Sequence, residues 1–199
     1  MDAAGYNLTD DIAAFCRALT AHCEDLSHVD TTRVLFGLTI SRTHGRGGTF
    51  ASCYPLRFEK GAVTRELRGR TWEWPALRVA GVEMLYYVNF YVPRFLNLSR
   101  ERKIETVVHE LFHISPRFDG DLRRLGEGRC AYHGPSRAHY DRLIAPIVAD
   151  ARQIADPERY EFLAHTFTGL EERFGRVVGT RARRLRPRLA EARGLMPMA

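Results

Sequence analysis

Residues 106–115 have the sequence TVVHELFHIS, which contains the pattern His109-Glu-x-x-His113. If this segment is a helix, side chains four residues apart lie on one face, so two imidazoles can hold one cation between them. Glu110 then lies beside the cation rather than on it, where a carboxylate can accept a proton from water. The pattern therefore predicts a Zn²⁺ site with His109 and His113 as ligands and Glu110 as the general base.

The residues around the two histidines predict a buried helix. Ser99 is a suitable N-cap, and Glu101 lies in the expected first turn. Pro116 disfavours helix at the preceding residue, so the helix is expected to end just after the second histidine. Seven neighbouring residues are uncharged: Thr106, Val107, Val108, Leu111, Phe112, Ile114 and Ser115. The alternative is a buried helix whose histidines only form hydrogen bonds, which would require a separate polar partner for each ring and for the acid.

Length and composition limit the classes of protein to which the chain can belong. The chain has 199 residues, of which 45% are hydrophobic, enough for one globular domain. We expect residues 1–170 to form that domain and the Arg-rich residues 171–199 to be an appendage of it. The four cysteines form no CxxC pair, and no basic segment followed by an apolar run opens the chain. These features predict a cytoplasmic protein with no membrane partner.

Apolar periodicity predicts the remaining elements. A helix is expected from residue 9 or 10 to about residue 25, followed by a strand at Val34–Ile40. A glycine-rich turn at residues 44–48 and a second strand at residues 49–58 would make a hairpin with it. Residues 61–81 are predicted to be irregular, and residues 82–92 form the strongest strand. The fold class is therefore α+β, with a small mixed or antiparallel sheet packed on the HExxH helix, as in zincin-type peptidases.

The C-terminal third contains one clear helical pattern and one basic stretch. Residues beyond Ser136 predict an amphipathic helix with a kink at Pro146, and residues 162–167 are compatible with an edge strand. Residues 173–193 are rich in arginine, and the whole chain carries a net charge of +6. This basic segment either binds the phosphates of a nucleic acid or is a solvated surface.

A catalytic zinc needs a third protein ligand and leaves its fourth position to water. His133 is the preferred candidate because it follows a glycine-rich bend that would let it fold back over the first helix. Asp119 has the spacing of a third ligand, although arginines nearby would pair with it, and His139 is a further alternative. Tyr132, His139 and Tyr140 are the candidates for stabilising an oxyanion, and their spacing does not separate them.

Three segments together resemble one known family. They are YVPRFLNLS at residues 91–99, HELFHISPRFDGDLRR at residues 109–124 and YHGPSRAHYD at residues 132–141. In these segments the chain is similar to a family of phage-type metallopeptidases, and the likeness extends from about residue 29 to residue 188. A more distant similarity is to SprT-like proteases, in which a His-Gly-Pro segment carries the third ligand, as at His133-Gly134-Pro135. The stretch between the two motifs is longer here. The resemblance implies a zinc peptidase fold and gives no substrate.

The sequence thus predicts a zinc metallopeptidase that hydrolyses peptide bonds of a protein or peptide substrate. Two alternatives involve nucleic acid: a metal-stabilised nucleic-acid-binding protein that uses the basic C-terminus, and a SprT-like protease acting on DNA-bound proteins. A further alternative is a partner protein with a vestigial pocket. A structural metal site closes its fourth position and has no use for a neighbouring base, so Glu110 argues for the enzyme.

Overall fold

A computed structural model of the protein describes residues 5–41, 48–126 and 132–190. The described residues form a mixed α+β structure, which confirms the predicted class. The helices are α1 (Leu8–His22), α2 (Arg100–Phe112), α3 (Arg137–Ile154), α4 (Glu161–Ala164) and α5 (Phe167–Phe174). The strands are β1 (Tyr6–Asn7), β2 (Val34–Ile40), β3 (Ala51–Pro55), β4 (Thr64–Leu67), β5 (Arg70–Glu73), β6 (Leu77–Val79), β7 (Val82–Met84), β8 (Tyr86–Val92), β9 (Val177–Val178) and β10 (Arg188–Leu189). No helix in this part of the chain combines the length and hydrophobicity that a membrane span requires.

The central sheet is mixed and has the strand order β2-β8-β3. β8 pairs in parallel with β2 and antiparallel with β3. The predicted hairpin of residues 34–40 and 49–58 is therefore wrong, because β8 lies between the two strands. β8 is buried along nearly its whole length, as expected for the central strand of a sheet. The predicted turn at residues 44–48 lies outside the described residues except for Gly48.

Two other predictions of secondary structure are wrong, one because a strand is exposed to solvent and the other because an apolar run is short. Residues 61–81 are not irregular but form the β4–β5 hairpin and β6. β4 is exposed along its whole length, so it has no buried face and no apolar alternation to reveal it. Residues 162–167 are not an edge strand but the end of α4 and the start of α5. Such a short apolar run does not distinguish a strand from a buried helical turn. The strand predicted at residues 82–92 is interrupted at Leu85, which separates β7 from β8.

α2 packs against one face of the central sheet. Its N-cap is Ser99, whose side chain accepts a hydrogen bond from the Arg102 N–H, as the sequence predicts. Val107 and Leu111 of α2 share one hydrophobic core with Val88 and Phe90 of β8, and α3 packs on the other side of α2. The helix that carries the two histidines is thus fixed between the sheet and α3.

The C-terminal segment, residues 176–190, crosses the opposite face of the sheet. The Leu38 N–H donates to the Thr180 carbonyl at the free edge of β2, and the Tyr87 hydroxyl donates to the Ala182 carbonyl in front of β8. Arg184 then lies over a side chain of β3, after which β10 pairs with β5. The segment therefore passes the three strands in their spatial order and reaches the edge of the sheet at β3.

A buried lysine connects α2 to the C-terminal helices. Lys103 is 2% exposed, and its ammonium donates to the carbonyls of Phe162 at 2.8 Å and His165 at 2.7 Å. These carbonyls lie near the C-terminal end of α4, where a cation is favoured. Burial lowers the pKa of Lys103 to about 8. The two hydrogen bonds thus compensate part of the cost of burying the charge.

Replacing Lys103 with methionine tests this connection. Lys103→Met keeps the length of the side chain but leaves both carbonyls without their donor. We expect the free energy of unfolding to fall by about 2 kcal/mol, which urea denaturation would measure. Lys60→Met, at an exposed position, is the matched control and should change it by less than about 0.5 kcal/mol. An unchanged free energy in Lys103→Met would show that the hydrogen bonds only offset the desolvation of the ammonium.

Candidate metal centre

Three histidines converge where α2 ends and the turn before α3 begins. His109 and His113 are one helical turn apart, and their Nε2 atoms are 3.2 Å from each other. His133 lies in the turn that precedes α3, with its Nε2 3.4 Å from the Nε2 of His109. One ligand atom from each ring lies within 4.8 Å of the others. The fold therefore brings together two histidines that are four positions apart and a third that lies 20 positions after the second.

Two of the three distances between these nitrogens fit a zinc ion. Zinc–nitrogen bonds of 2.0–2.1 Å place two tetrahedral ligands roughly 3.3–3.4 Å apart. The distances from His109 to the other two rings, 3.2 and 3.4 Å, match this edge length. Three imidazole nitrogens are also the donor set of catalytic zinc sites that keep one position for water. The donor set and two of the three nitrogen–nitrogen distances are thus suited to Zn²⁺, and all three ligand atoms lie within 4.8 Å of one another.

Burial keeps the imidazoles in the form that binds metal. Desolvation lowers the pKa of His109 to about 4 and that of His113 to about 3, and the neighbouring imidazoles lower both further. Desolvation also lowers the pKa of His133. The three rings are therefore neutral at pH 7, with a nitrogen lone pair available to a cation.

Tyr140 of α3 supports all three imidazoles. Its ring centroid lies 4.5 Å from that of His109, 5.1 Å from His113 and 5.0 Å from His133. The side chain is fully buried, and its hydroxyl donates to the His109 carbonyl at 3.0 Å. Nδ1 of His113 is buried without a hydrogen-bond partner among the described residues, so ring contacts hold that imidazole in place of the usual acceptor. The sequence places Tyr140 on an apolar stripe and gives no sign of this supporting role.

Glu110 of α2 is buried against β3. It is 7% exposed, and its carboxyl group accepts a hydrogen bond from the Cys53 N–H. Burial raises the pKa of Glu110 to about 8, and the hydrogen bond from Cys53 opposes part of this rise. A divalent cation at the histidine cluster would favour the ionised carboxylate, because an opposite charge nearby lowers the pKa of an acid.

The two alternative ligands lie outside the cluster. Asp119 is held in a turn, where its carboxylate accepts hydrogen bonds from the Arg117 guanidinium at 3.0 Å and from the Asp121 N–H at 3.2 Å. His139 is in the first turn of α3, with its ring packed against Gly134. Neither belongs to the group of ligand atoms formed by the three histidines in the described residues.

The cluster opens into a cleft of about 1090 Å³ whose other wall is β3. The Tyr91 N–H donates to the Phe50 carbonyl, and the Leu56 N–H donates to the Leu85 carbonyl. These two bonds show which residue pairs of the β3–β8 ladder are hydrogen-bonded. Because residues alternate in an antiparallel ladder, Ala51, Cys53 and Pro55 direct their backbone groups away from β8. β3 is thus an edge strand whose outward carbonyls and Ala51 N–H face the cleft, while the Cys53 N–H is bonded to Glu110.

Comparison of the chain with protein-family models, with curated proteins and with solved structures finds no match. A function is therefore inferred from the chemistry of the cleft.

Zinc binding by variants tests the composition of the site. We expect the purified protein to hold close to one Zn²⁺ per chain, and His109→Ala or His113→Ala to lose it. His133→Ala should weaken binding by more than about 100-fold in competition with a chelator, since a ligand matters more than its supporting residues. Asp119→Ala and His139→Ala are the matched controls and should bind zinc as the parent does. A larger loss in Asp119→Ala than in His133→Ala would contradict the histidine triad.

Proposed function

We propose that this protein is a zincin-like, zinc-dependent metallopeptidase that hydrolyses peptide bonds. The observation that carries the proposal is the convergence of three neutral imidazoles at 3.2 and 3.4 Å beside a buried glutamate, in a cleft bounded by an edge strand. His109, His113 and His133 would hold the metal. A purely structural site would have no need of a carboxylate and an open cleft at the same place.

Each group in the cleft has a role in this reaction. When bound, Zn²⁺ supplies Lewis acidity that draws the pKa of water in the cleft towards neutrality. Glu110 accepts the proton of the attacking water and delivers it to the departing amine. The Cys53 N–H holds the Glu110 carboxyl group at the wall of the cleft. Tyr140 keeps the three imidazoles in position through its ring and its hydrogen bond to the backbone of α2.

The edge of β3 supports an extended peptide as the substrate. A peptide that adds to a free strand edge gains main-chain hydrogen bonds without any particular side chain. The outward carbonyls of Ala51 and Cys53 are suited to this pairing, and they lie in the same cleft as the histidines. Pairing with β3 would thus hold the peptide in an extended conformation, with its scissile carbonyl in the cleft.

Tyr132 is the most suitable of the three candidates for stabilising the oxyanion. Its ring is 39% exposed and lines the cleft next to His133 in sequence. The Tyr140 hydroxyl is buried and bonded to a backbone carbonyl, and His139 packs against Gly134. A phenol at the mouth of the cleft is free to donate to the negative oxygen that forms during attack.

Replacing the general base separates catalysis from metal binding. Glu110→Gln keeps the shape of the side chain but removes the proton acceptor. We expect kcat/KM on quenched fluorescent peptides or casein to fall by about 10² to 10⁴-fold, with zinc content unchanged. Glu101→Gln, in the exposed first turn of the same helix, is the matched control and should retain the activity of the parent. Equal cleavage by Glu110→Gln and the parent would rule out the mechanism.

The basic C-terminal segment favours nucleic-acid binding as a second candidate function. Six arginines lie in residues 176–188, counting both ends of the range. In the part of the chain that the structure describes, Arg188 is the one of these six that forms an ion pair, with Glu73. Exposed guanidinium groups such as those of Arg181 and Arg183 are suited to phosphate contacts.

Salt dependence tests this second function. If three of these arginines contact phosphates, affinity for a short DNA duplex should fall about 40-fold between 50 and 200 mM salt. The affinity should be nearly the same for a scrambled sequence, because phosphates carry no sequence information. Fluorescence anisotropy with a labelled duplex would measure both. A lack of binding at 50 mM salt would exclude this function.

A further inference from the structure

Four arginines line the cleft, and three of them face carboxylates of the protein. Arg102 pairs with Glu105 at 2.8 Å, and Arg152 approaches the same carboxylate at 3.9 Å. Arg137 lies 3.8 Å from Asp141, one helical turn along α3. These three positive charges are thus shared with acids that the fold provides.

Arg184, the fourth, faces no carboxylate among the described residues. Its guanidinium carbon lies 4.4 Å from the centre of the Tyr54 ring on β3, a stacking arrangement that fixes its position but leaves its charge uncompensated. The Tyr54 phenol is uncharged at neutral pH, burial raises its pKa further, and its oxygen is 2.8 Å from that of Tyr91. The cleft therefore contains one arginine whose N–H donors have no anionic acceptor in the described protein.

The C-terminal segment holds Arg184 at this place. The carbonyls of Thr180 and Ala182 accept hydrogen bonds from β2 and β8, so the following residues reach the edge strand. Beyond it, Arg188 pairs with Glu73 and the Ala190 N–H donates to the Thr71 carbonyl. Arg184 is thus anchored on both sides rather than carried by a free tail.

The alternation of β3 determines which substrate side chains would meet Arg184. Cys53 directs its side chain toward the core, whereas Tyr54 directs its ring to the opposite face, where it packs near Tyr87. A peptide paired with β3 alternates in the same way, so every second side chain lies on the Tyr54 face. Those side chains would lie on the same side as Arg184, which lines the same cleft.

We propose that Arg184 is a specificity residue that binds an acidic side chain of the peptide substrate. This inference rests on the proposed peptidase function and names its substrate class: peptides with a glutamate or aspartate on the Tyr54 face of the bound strand. The planar guanidinium can donate two parallel hydrogen bonds to a carboxylate while its face remains on the Tyr54 ring. An amide of the same shape offers one acceptor and no charge, so it binds more weakly.

A substitution scan of peptides tests the inference. A quenched fluorescent peptide that the parent cleaves is varied one position at a time, comparing glutamate with glutamine. We expect the parent to prefer glutamate about tenfold in kcat/KM at one or more positions. Where several positions prefer it, they should be i and i+2, with one residue between them. Arg184→Gln should remove the preference, and Arg184→Glu should transfer it to lysine. Arg17→Gln, an exposed arginine on α1, makes the same change in charge and should keep the preference of the parent.

Binding measurements separate this inference from the peptidase proposal. Anisotropy with the same peptides and the zinc-loaded Glu110→Gln protein reports affinity without turnover. Cleavage by the parent with equal rates for glutamate and glutamine peptides would overturn the acidic subsite alone. Absence of cleavage, with a glutamate preference in binding that Arg184→Gln abolishes, would overturn the peptidase function and support the subsite. Neither cleavage nor binding would overturn both.

Discussion

The contact between α3 and the last turn of α2 is the interaction on which the candidate metal centre depends. Tyr140 makes it, by packing beneath three imidazoles and donating its hydroxyl to the His109 carbonyl. His133 lies in the turn that leads into α3, so the position of α3 determines whether the third nitrogen reaches the other two. If α3 moved away from α2, the pair on α2 would remain but the triad would not. The donor set is therefore a property of helix packing.

Burial has opposite effects on the two kinds of group in this site. It lowers the pKa values of the histidines, which keeps their lone pairs available to a metal. It raises the pKa of Glu110, which a metal would reverse, since a nearby dication favours the carboxylate. A metal and the glutamate are therefore coupled. In the proposed mechanism the base is ionised most readily when the metal that activates its water is bound.

The edge strand β3 connects the two functional parts of the cleft. One residue, Cys53, holds Glu110 through its backbone, and the next, Tyr54, holds Arg184 through its ring. The Cys53 N–H points outward from the edge of the sheet and the Tyr54 ring lies on the face that the C-terminal segment crosses, so this one strand contacts α2 and that segment at once. The proposed catalytic base and the proposed specificity residue are thus arranged around a single length of backbone, along which an extended substrate would lie.

The sequence by itself determines the local features of this protein. The spacing of His109 and His113, the Ser99 cap and the apolar stripe define α2, because helix geometry acts over a few residues. Tertiary structure alone decides the strand order, since β8 separates two strands that are close in sequence. It also decides that His133, rather than Asp119, lies beside the pair, and that one arginine of a basic segment enters the cleft. Spacing along the chain cannot resolve these choices, because they depend on how distant elements pack against one another.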